Sequence, residues 1–233
     1  MKNFHKQFGN CDSVSNYCAS ISVDYPEFTQ AKNEMILDSL NGIVKRLTLQ
    51  PVFETKTGSL EELSDYLIND YKKVKKEFPD SPIQYELERK VNILLNQSGI
   101  LSLEYIEYSF LGGAHPNGVR TFLNLNTETG KEISLDELLV KGYEKKLNSI
   151  GEKNFRVVRN LKGDDELEKN GFWFKDNKFA LNKNFLITRS GLTFYFNDYE
   201  IAPHVMSPTE VIIKFDDLKD LIDRDGLLRG IME

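Results

Sequence analysis

Residues 185–218 read FLITRSGLTFYFNDYEIAPHVMSPTEVIIKFDDL, and the fold turns on how this stretch is read. Leu186, Thr188, Leu192, Phe194 and Phe196 alternate with Ile187, Thr193 and Tyr195 about an Arg189-Ser190-Gly191 turn, the period-two pattern of paired strands. Val211, Ile212, Ile213 and Phe215 form a further short apolar strand. Between them Tyr199–Pro208 carries a tyrosine, a histidine and two prolines but no strand pattern. A hairpin, a proline-punctuated loop and a third strand predict a small antiparallel sheet.

Upstream the chain alternates between helical and strand periods. Ser20–Tyr25 places Ile21, Val23 and Tyr25 at period two and stops at Pro26, as a strand does. Over Ala31–Leu47 the period changes, with Ile36, Leu40, Ile43, Val44 and Leu47 on one helical face. Ser59-Leu60-Glu61-Glu62 has the form of a capping box. It opens a helix whose Leu60, Leu63, Leu67, Tyr71, Val74 and Phe78 recur at steps of three and four until Pro79. Its Lys72, Lys73, Lys75 and Lys76 suit a solvated face near a helix C-terminus better than a binding patch. From Ile83 the period is two again: Ile83, Tyr85, Leu87, Val91, Ile93 and Leu95 share a face that only Arg89 interrupts. The Asn96–Gly99 turn, a strand over Ile100–Phe110, the glycine-rich loop Leu111–Gly118, a strand over Val119–Asn126 and a short strand ending at Ile133 complete an antiparallel meander. Ser134–Glu137 is a second capping box, opening a helical region to about Leu161 with a break at Gly142 or Gly151. Phe172, Trp173, Phe174 and Phe179 read as core or sheet-covering aromatics. Asp216 is expected to cap a short last helix. The fold class is α+β, with antiparallel sheets carrying helices on one face.

The chain has 233 residues, 40% hydrophobic and 28% charged, with a net charge of −6. That is enough to bury a sizeable core. The acidic balance argues against nucleic acid and anionic membranes as partners. No apolar run of about 18 residues is present, so no membrane-spanning segment is expected, and residues 1–10 do not have the form of a signal peptide. Cys11 and Cys18 are the two cysteines. Two readings stand, a short-loop disulfide in an oxidising compartment or two free thiols, and the disulfide is the expectation adopted. A zinc site does not fit, since only His5 lies near the pair.

Catalytic signatures are missing: no G-x-S-x-G, H-E-x-x-H, P-loop or G-x-G-x-x-G occurs. No cofactor and no metal site is expected. Two loops remain as candidates. Gly112–Gly118, with His115 and Asn117, either offers backbone amides to an anion or turns tightly between strands. Tyr199–Pro208 offers Tyr199, Glu200, Pro203, His204 and Met206. Tyr199, Glu200 and a histidine would make an acid/base set for a hydrolase. The same residues equally suit a loop shaped for a partner, which is the preferred reading.

Three segments together resemble a known family: Ser22–Phe28 (SVDYPEF), Gly112–Gly118 (GGAHPNG), and Tyr199–His204 (YEIAPH) with Val211–Leu218. The family is the extracytoplasmic domain of unknown function found in RsiV-type anti-sigma factors and beside the catalytic domain of PdaC-type peptidoglycan deacetylases. Ser207-Pro208 departs from it, standing where a glycine is expected. The resemblance implies an α+β fold of two interlocked sub-domains. The expected limits are an N-terminal extension with the cysteine pair (1–19), a strand–helix–sheet unit (20–110), a C-terminal unit (111–222) and a tail (223–233). It also implies an extracytoplasmic chain, exported or lipid-anchored with its leader removed. For RsiV-like members it implies recognition of lysozyme, so a protein such as lysozyme or a cell-wall glycan is the expected partner. The H-x-x-x-H motif of the deacetylase domain is missing from these residues, and deacetylation by them is not expected.

Overall fold

The computed structural model describes residues 1–11, 17–223 and 225–232. Residues 12–16 of the expected N-terminal extension, and Arg224 and Glu233 of the expected tail, lie outside them. The chain forms two compact units, Met1–Asn92 with Tyr105–Val119 and Ile93–Glu104 with Arg120–Glu233. It therefore passes from the first unit to the second, returns, and crosses once more.

In unit 1 the first strand is β1, Lys2–Gly9, which the polar N-terminal sequence did not predict. It pairs antiparallel with β2, Cys18–Tyr25, in a register running from Lys2↔Tyr25 to Gly9↔Cys18. An edge strand with most of its residues exposed needs no apolar alternation, which is why its sequence reads as a polar tail. Phe4 packs against the unit 1 core and Phe8 meets Tyr71 edge-on at 6.3 Å, while the Lys6 ammonium between them meets Glu61 at 3.0 Å and Asp65 at 2.8 Å. Two lysines of the basic cluster lie over aromatic rings, one in β1 and one just before β2. Lys72 lies 4.2 Å from the centre of the Phe8 ring and Lys75 3.9 Å from that of Tyr17.

Cys11 and Cys18 are joined by a disulfide, which ties the end of β1 to the start of β2. Thiol titration of the denatured, non-reduced protein should find no reactive thiol. Reduction should cost about 2 kcal/mol, the loop-closure entropy of so short a ring. Two titratable thiols in that assay would remove the bond.

Helices α1, Glu34–Thr48, and α2, Leu60–Glu77, connect β2 to β3, Tyr85–Gln97. Asn33 caps α1 by accepting the Ile36 amide at 3.0 Å. Ser59 caps α2 by accepting the Glu62 amide at 3.2 Å, while Glu62 reaches one residue beyond the expected box to the Gly58 amide at 2.7 Å. Leu63, Leu67, Ile68 and Tyr71 of α2 pack with Ala19, Ile21, Val23, Tyr85 and Leu87 in one core. Phe78 is the C-cap and more than half exposed, so the apolar stripe ends a turn earlier than its spacing predicts. Because the helical connection brings the chain back to the starting end of the sheet, β2 and β3 are parallel. This parallel pair departs from the antiparallel pattern of an otherwise expected α+β fold.

The five-stranded sheet has the order β1-β2-β3-β4-β5, with β4 at Ile100–Leu111 and β5 at Asn117–Asn126. Ser98 and Gly99 between β3 and β4 both have positive φ, as a two-residue hairpin turn requires. The strand expected to end at Ile133 is a single bridge, Leu125↔Glu132.

In unit 2 the helical region expected from Ser134 divides. One 3₁₀ turn, Leu135–Glu137, is followed by α3, Glu144–Val158, with Gly142 at φ +83° between them. Gly151 does not break α3. It is buried, and a Cβ there would stand 2.8–3.0 Å from the Leu181 side chain. The three-stranded sheet β6-β7-β8, Phe185–Ile187, Gly191–Phe196 and Thr209–Lys214, is antiparallel throughout, as the alternation predicts. Phe155 of α3 meets Phe172, Phe174 and Phe179 edge-on or tilted at 4.9–5.5 Å. The aromatic cluster is therefore core, except Trp173, which faces out. Lys214, not Asp216, is the N-cap of α4, Phe215–Leu218, and Asp216 lies in its first turn. Residues 229–232 form a last turn, α5, Arg229–Met232.

Candidate functional site

The Tyr199–Pro208 loop leaves β7 through a turn that Glu200 holds shut. One Glu200 carboxylate oxygen accepts the Asn197 amide at 2.8 Å and the other accepts the Asn182 side-chain amide at 2.7 Å. Glu200 is thus used as a brace, which removes it from the proposed acid/base set. Ile201 and Ala202 are buried in the unit 2 core, and the Trp173 amide donates to the Ile201 carbonyl at 2.8 Å. Residues His204–Met206 form a 3₁₀ turn. It is fastened by the Ser207 hydroxyl to the Ala202 and Pro203 carbonyls at 3.3 Å and by the Arg159 guanidinium to the Met206 carbonyl. The Ser207–Pro208 peptide is cis.

On this frame Tyr199, at φ +60°, stacks on His204 with ring centres 5.7 Å apart and planes 20° from parallel. His204 Nδ1 stands 3.1 Å from Asp198 Oδ2. The Asp198 side chain is 17% exposed, and its Oδ1 is buried with no partner among the described residues. Asp198 is the functional-looking residue that the sequence did not single out. Asn197-Asp198 reads as turn chemistry, and nothing in the spacing pairs position 198 with 204. Val205 is 89% exposed, Trp173 54% and Tyr199 49%. Pro203 is half-buried, and Met206 packs onto the core, so Met206 anchors the turn more than it displays a contact.

His115 and Asn117 belong to unit 1. Both are exposed, and His115 Nδ1 lies 3.1 Å from the carbonyl of its neighbour Pro116. The glycine reading of that loop holds at Gly112, where φ is +78° and a Cβ would come within 3.3 Å of Ile83 and Tyr85.

The base of the Tyr199–Pro208 loop carries a polar network that also went unread. The Arg120 amide donates to Asn197 Oδ1 at 2.7 Å, and the Arg120 carbonyl accepts from Asn184 and Asn197 at 2.8 and 3.0 Å. Asn184 also accepts the Phe122 amide at 2.7 Å. Deeper in, Asn124 accepts the Ser102 hydroxyl and the Ile187 amide, both at 2.9 Å, and donates to the Phe185 carbonyl at 2.8 Å. These asparagines supply main-chain-like donors and acceptors where strand pairing stops. The Arg120 guanidinium meets the buried Glu104 carboxylate at 2.6 Å and lies 5.0 Å from the Tyr195 ring. Among the described residues, no three His, Cys, Asp or Glu side chains are grouped to hold a metal ion, and no helix is long and apolar enough to cross a membrane.

Comparison with known proteins bears out the resemblance to PdaC-type chains. A family model described as Deacetylase PdaC matches residues 13–118, and one described as Protein of unknown function (DUF3298) matches residues 136–216. The peptidoglycan-N-acetylmuramic acid deacetylase PdaC of Bacillus subtilis (strain 168) is 25% identical over 224 residues, 93% of this chain and 42% of that protein. The chain thus spans less than half the length of this relative. A DUF3298 family member from Bacteroides fragilis NCTC 9343 superposes with a TM-score of 0.80 at 17% identity, covering 99% of this chain and 95% of its own. A DUF3298 family protein from Pseudomonas aeruginosa PAO1 does so at 0.70 and 19%, covering 95% and 93%. These two likenesses show the α+β fold.

Proposed function

We propose that this chain is a non-catalytic binding module of the cell envelope, extracytoplasmic in location, whose partner docks on the Tyr199–Pro208 loop. The observation that carries the reading is the contrast within that loop. Its backbone is braced by Glu200, Ser207 and Arg159, while Tyr199, His204 and Val205 project outward. A surface held in place before binding loses little entropy on docking, and outward aromatic groups suit an interface centre. The peptidoglycan-directed name of the relative supports a wall-derived ligand. The net charge of −6 supports the other arm, a basic protein such as lysozyme, through steering of the encounter.

Calorimetric titration with soluble peptidoglycan fragments and, separately, with lysozyme tests this. One of the two should give saturable heat. The Tyr199→Ala, His204→Ala variant should then bind at least about tenfold more weakly, the effect of truncating one or two interface-centre residues. Silence with both ligands would end the binding reading, and unchanged affinity in the variant would remove the loop.

A second reading, an envelope hydrolase, draws on one feature. Asp198 presents its carboxylate to His204 Nδ1 in the arrangement that orients a general base. Incubation with peptidoglycan should release new reducing or amino groups if this holds, and His204→Ala should abolish the release. No release by the parent chain would dismiss it.

A further inference from the structure

Six residues of unit 2, Val158, Arg159, Asn160, Phe172, Val205 and Met206, help to line a cleft of about 400 Å³. Its cation is held in place. The Arg159 guanidinium lies 5.4 Å from the centre of the Phe172 ring and donates through Nη2 to the Met206 carbonyl. Nε has a different environment: it is buried, and no described residue accepts from it. Arginine stays charged in proteins, and burial here works against that charge, lowering the Arg159 pKa. A partly desolvated cation with an unused buried donor is unfavourable unless an anion or acceptor meets it. The rest of the lining limits what that group can be attached to. Val158 and Val205, the latter almost fully exposed, give the rim an aliphatic part and the Met206 side chain a third apolar surface, while Asn160 and Asn170 bring amides that suit a polar remainder of the molecule.

We infer that this cleft binds a carboxylate carried on a small apolar group. Two coplanar oxygens match the fork of a guanidinium whose position is already fixed by Phe172 and Met206, and a methyl or methine beside them meets the two valines. About 400 Å³ accommodates the end of a larger molecule and not a whole chain of sugars. Two wall components offer this chemistry, a peptide ending in alanine and the lactyl ether of a muramic acid residue. The choice between these sources rests on the envelope reading above; the carboxylate chemistry does not.

The test uses the whole chain and two matched pairs of probes. N-acetylalanylalanine is compared with its C-terminal amide, and N-acetylmuramic acid with N-acetylglucosamine, which lacks the lactyl carboxylate. Binding is followed by calorimetry and by the Nε–H resonance of Arg159. At least one acid should bind saturably, at least about tenfold more tightly than its neutral counterpart, with movement of that resonance, and the tighter acid identifies the source. Arg159→Lys should lose about tenfold or more. Val205→Glu places a competing carboxylate at the rim without touching the core, and should lose binding with the thermal midpoint unchanged. Equal affinity for an acid and its neutral partner, no saturation by either acid, or full retention of binding in Val205→Glu would overturn the inference. Tyr199 and His204 do not line the cleft, so Tyr199→Ala, His204→Ala should keep carboxylate binding. Failure of the loop reading and failure of this one are therefore separate results.

Discussion

Leu67→Asp is expected to destabilise unit 1 by more than about 4 kcal/mol. Leu67 is fully buried at the middle of α2, in a core with Leu63, Tyr71, Ile21 and Leu87. Loss of the buried leucine alone costs about 2–5 kcal/mol, and the introduced carboxyl adds the desolvation of a charge or the uptake of a proton. At about 2–4 °C per kcal/mol for a chain of this size, the midpoint should fall by about 10 °C or more. The effect has a defined pH dependence. Burial raises the pKa of the introduced carboxyl in the folded state, so the folded state binds the extra proton and stability falls as pH rises from about 4. The gap to the parent protein should therefore narrow towards pH 4 and widen above it. Asn69→Asp makes the same charge change two residues away on the exposed side of α2. It should stay within about 0.5 kcal/mol of the parent. A midpoint unmoved by Leu67→Asp would take α2 out of that core.

The stripe on α2 was legible because a single helix buries it, and one period describes one face. The same holds for β6, β7 and β8, whose alternation and turn are local. What the sequence did not show depends on partners distant along the chain. β1 has only Phe4 and Phe8 as apolar positions, and its polar contacts, Lys6 to Glu61 and Asp65 and Lys72 over Phe8, depend on α2. The parallel pairing of β2 with β3 depends on where two helices return the chain. On β3 the alternating face holds through Val91 and then changes: Ile93 is exposed and Leu95 buried again. At the candidate site the loop itself was readable from its prolines and aromatics. The division of labour inside it was not, because Glu200 and Asp198 are both carboxylates and only the fold decides that one braces the turn while the other meets His204. Arg89 is the strongest case. In sequence it is a flaw in an apolar strand face; in the fold it is among the most deeply buried side chains.

Glu107→Ala tests what that arginine does, and is expected to cost about 3–5 kcal/mol. The Arg89 side chain is 0% exposed, with Nε donating to Glu107 Oε2 at 2.8 Å and Nη1 to the Thr48 carbonyl at 2.8 Å. The Tyr105 hydroxyl donates to the same Glu107 oxygen at 2.5 Å, and burial pushes its pKa far up, keeping it a neutral donor. Nη2 has no partner among the described residues, so the site is already one acceptor short. Removing Glu107 leaves the buried cation with the Thr48 carbonyl and the neighbouring Tyr105 oxygen but no counter-charge, and leaves the Tyr105 hydroxyl without its acceptor. The cost is the uncompensated charge, not the strength of the pair that was lost. That distinction can be measured. Arg89→Met, Glu107→Leu and Tyr105→Phe together remove every charge and hydroxyl of the cluster at similar volume. The Thr48 carbonyl is then the one group deprived of its donor, at about 1–3 kcal/mol, against a gain of similar size from sparing two ions their desolvation. The triple variant should therefore be closer to the parent in urea midpoint than Glu107→Ala alone. A triple variant as unstable as the single one would mean that the Arg89–Glu107 pair stabilises unit 1 in its own right, and that this interruption of the apolar face is more than a tolerated charge.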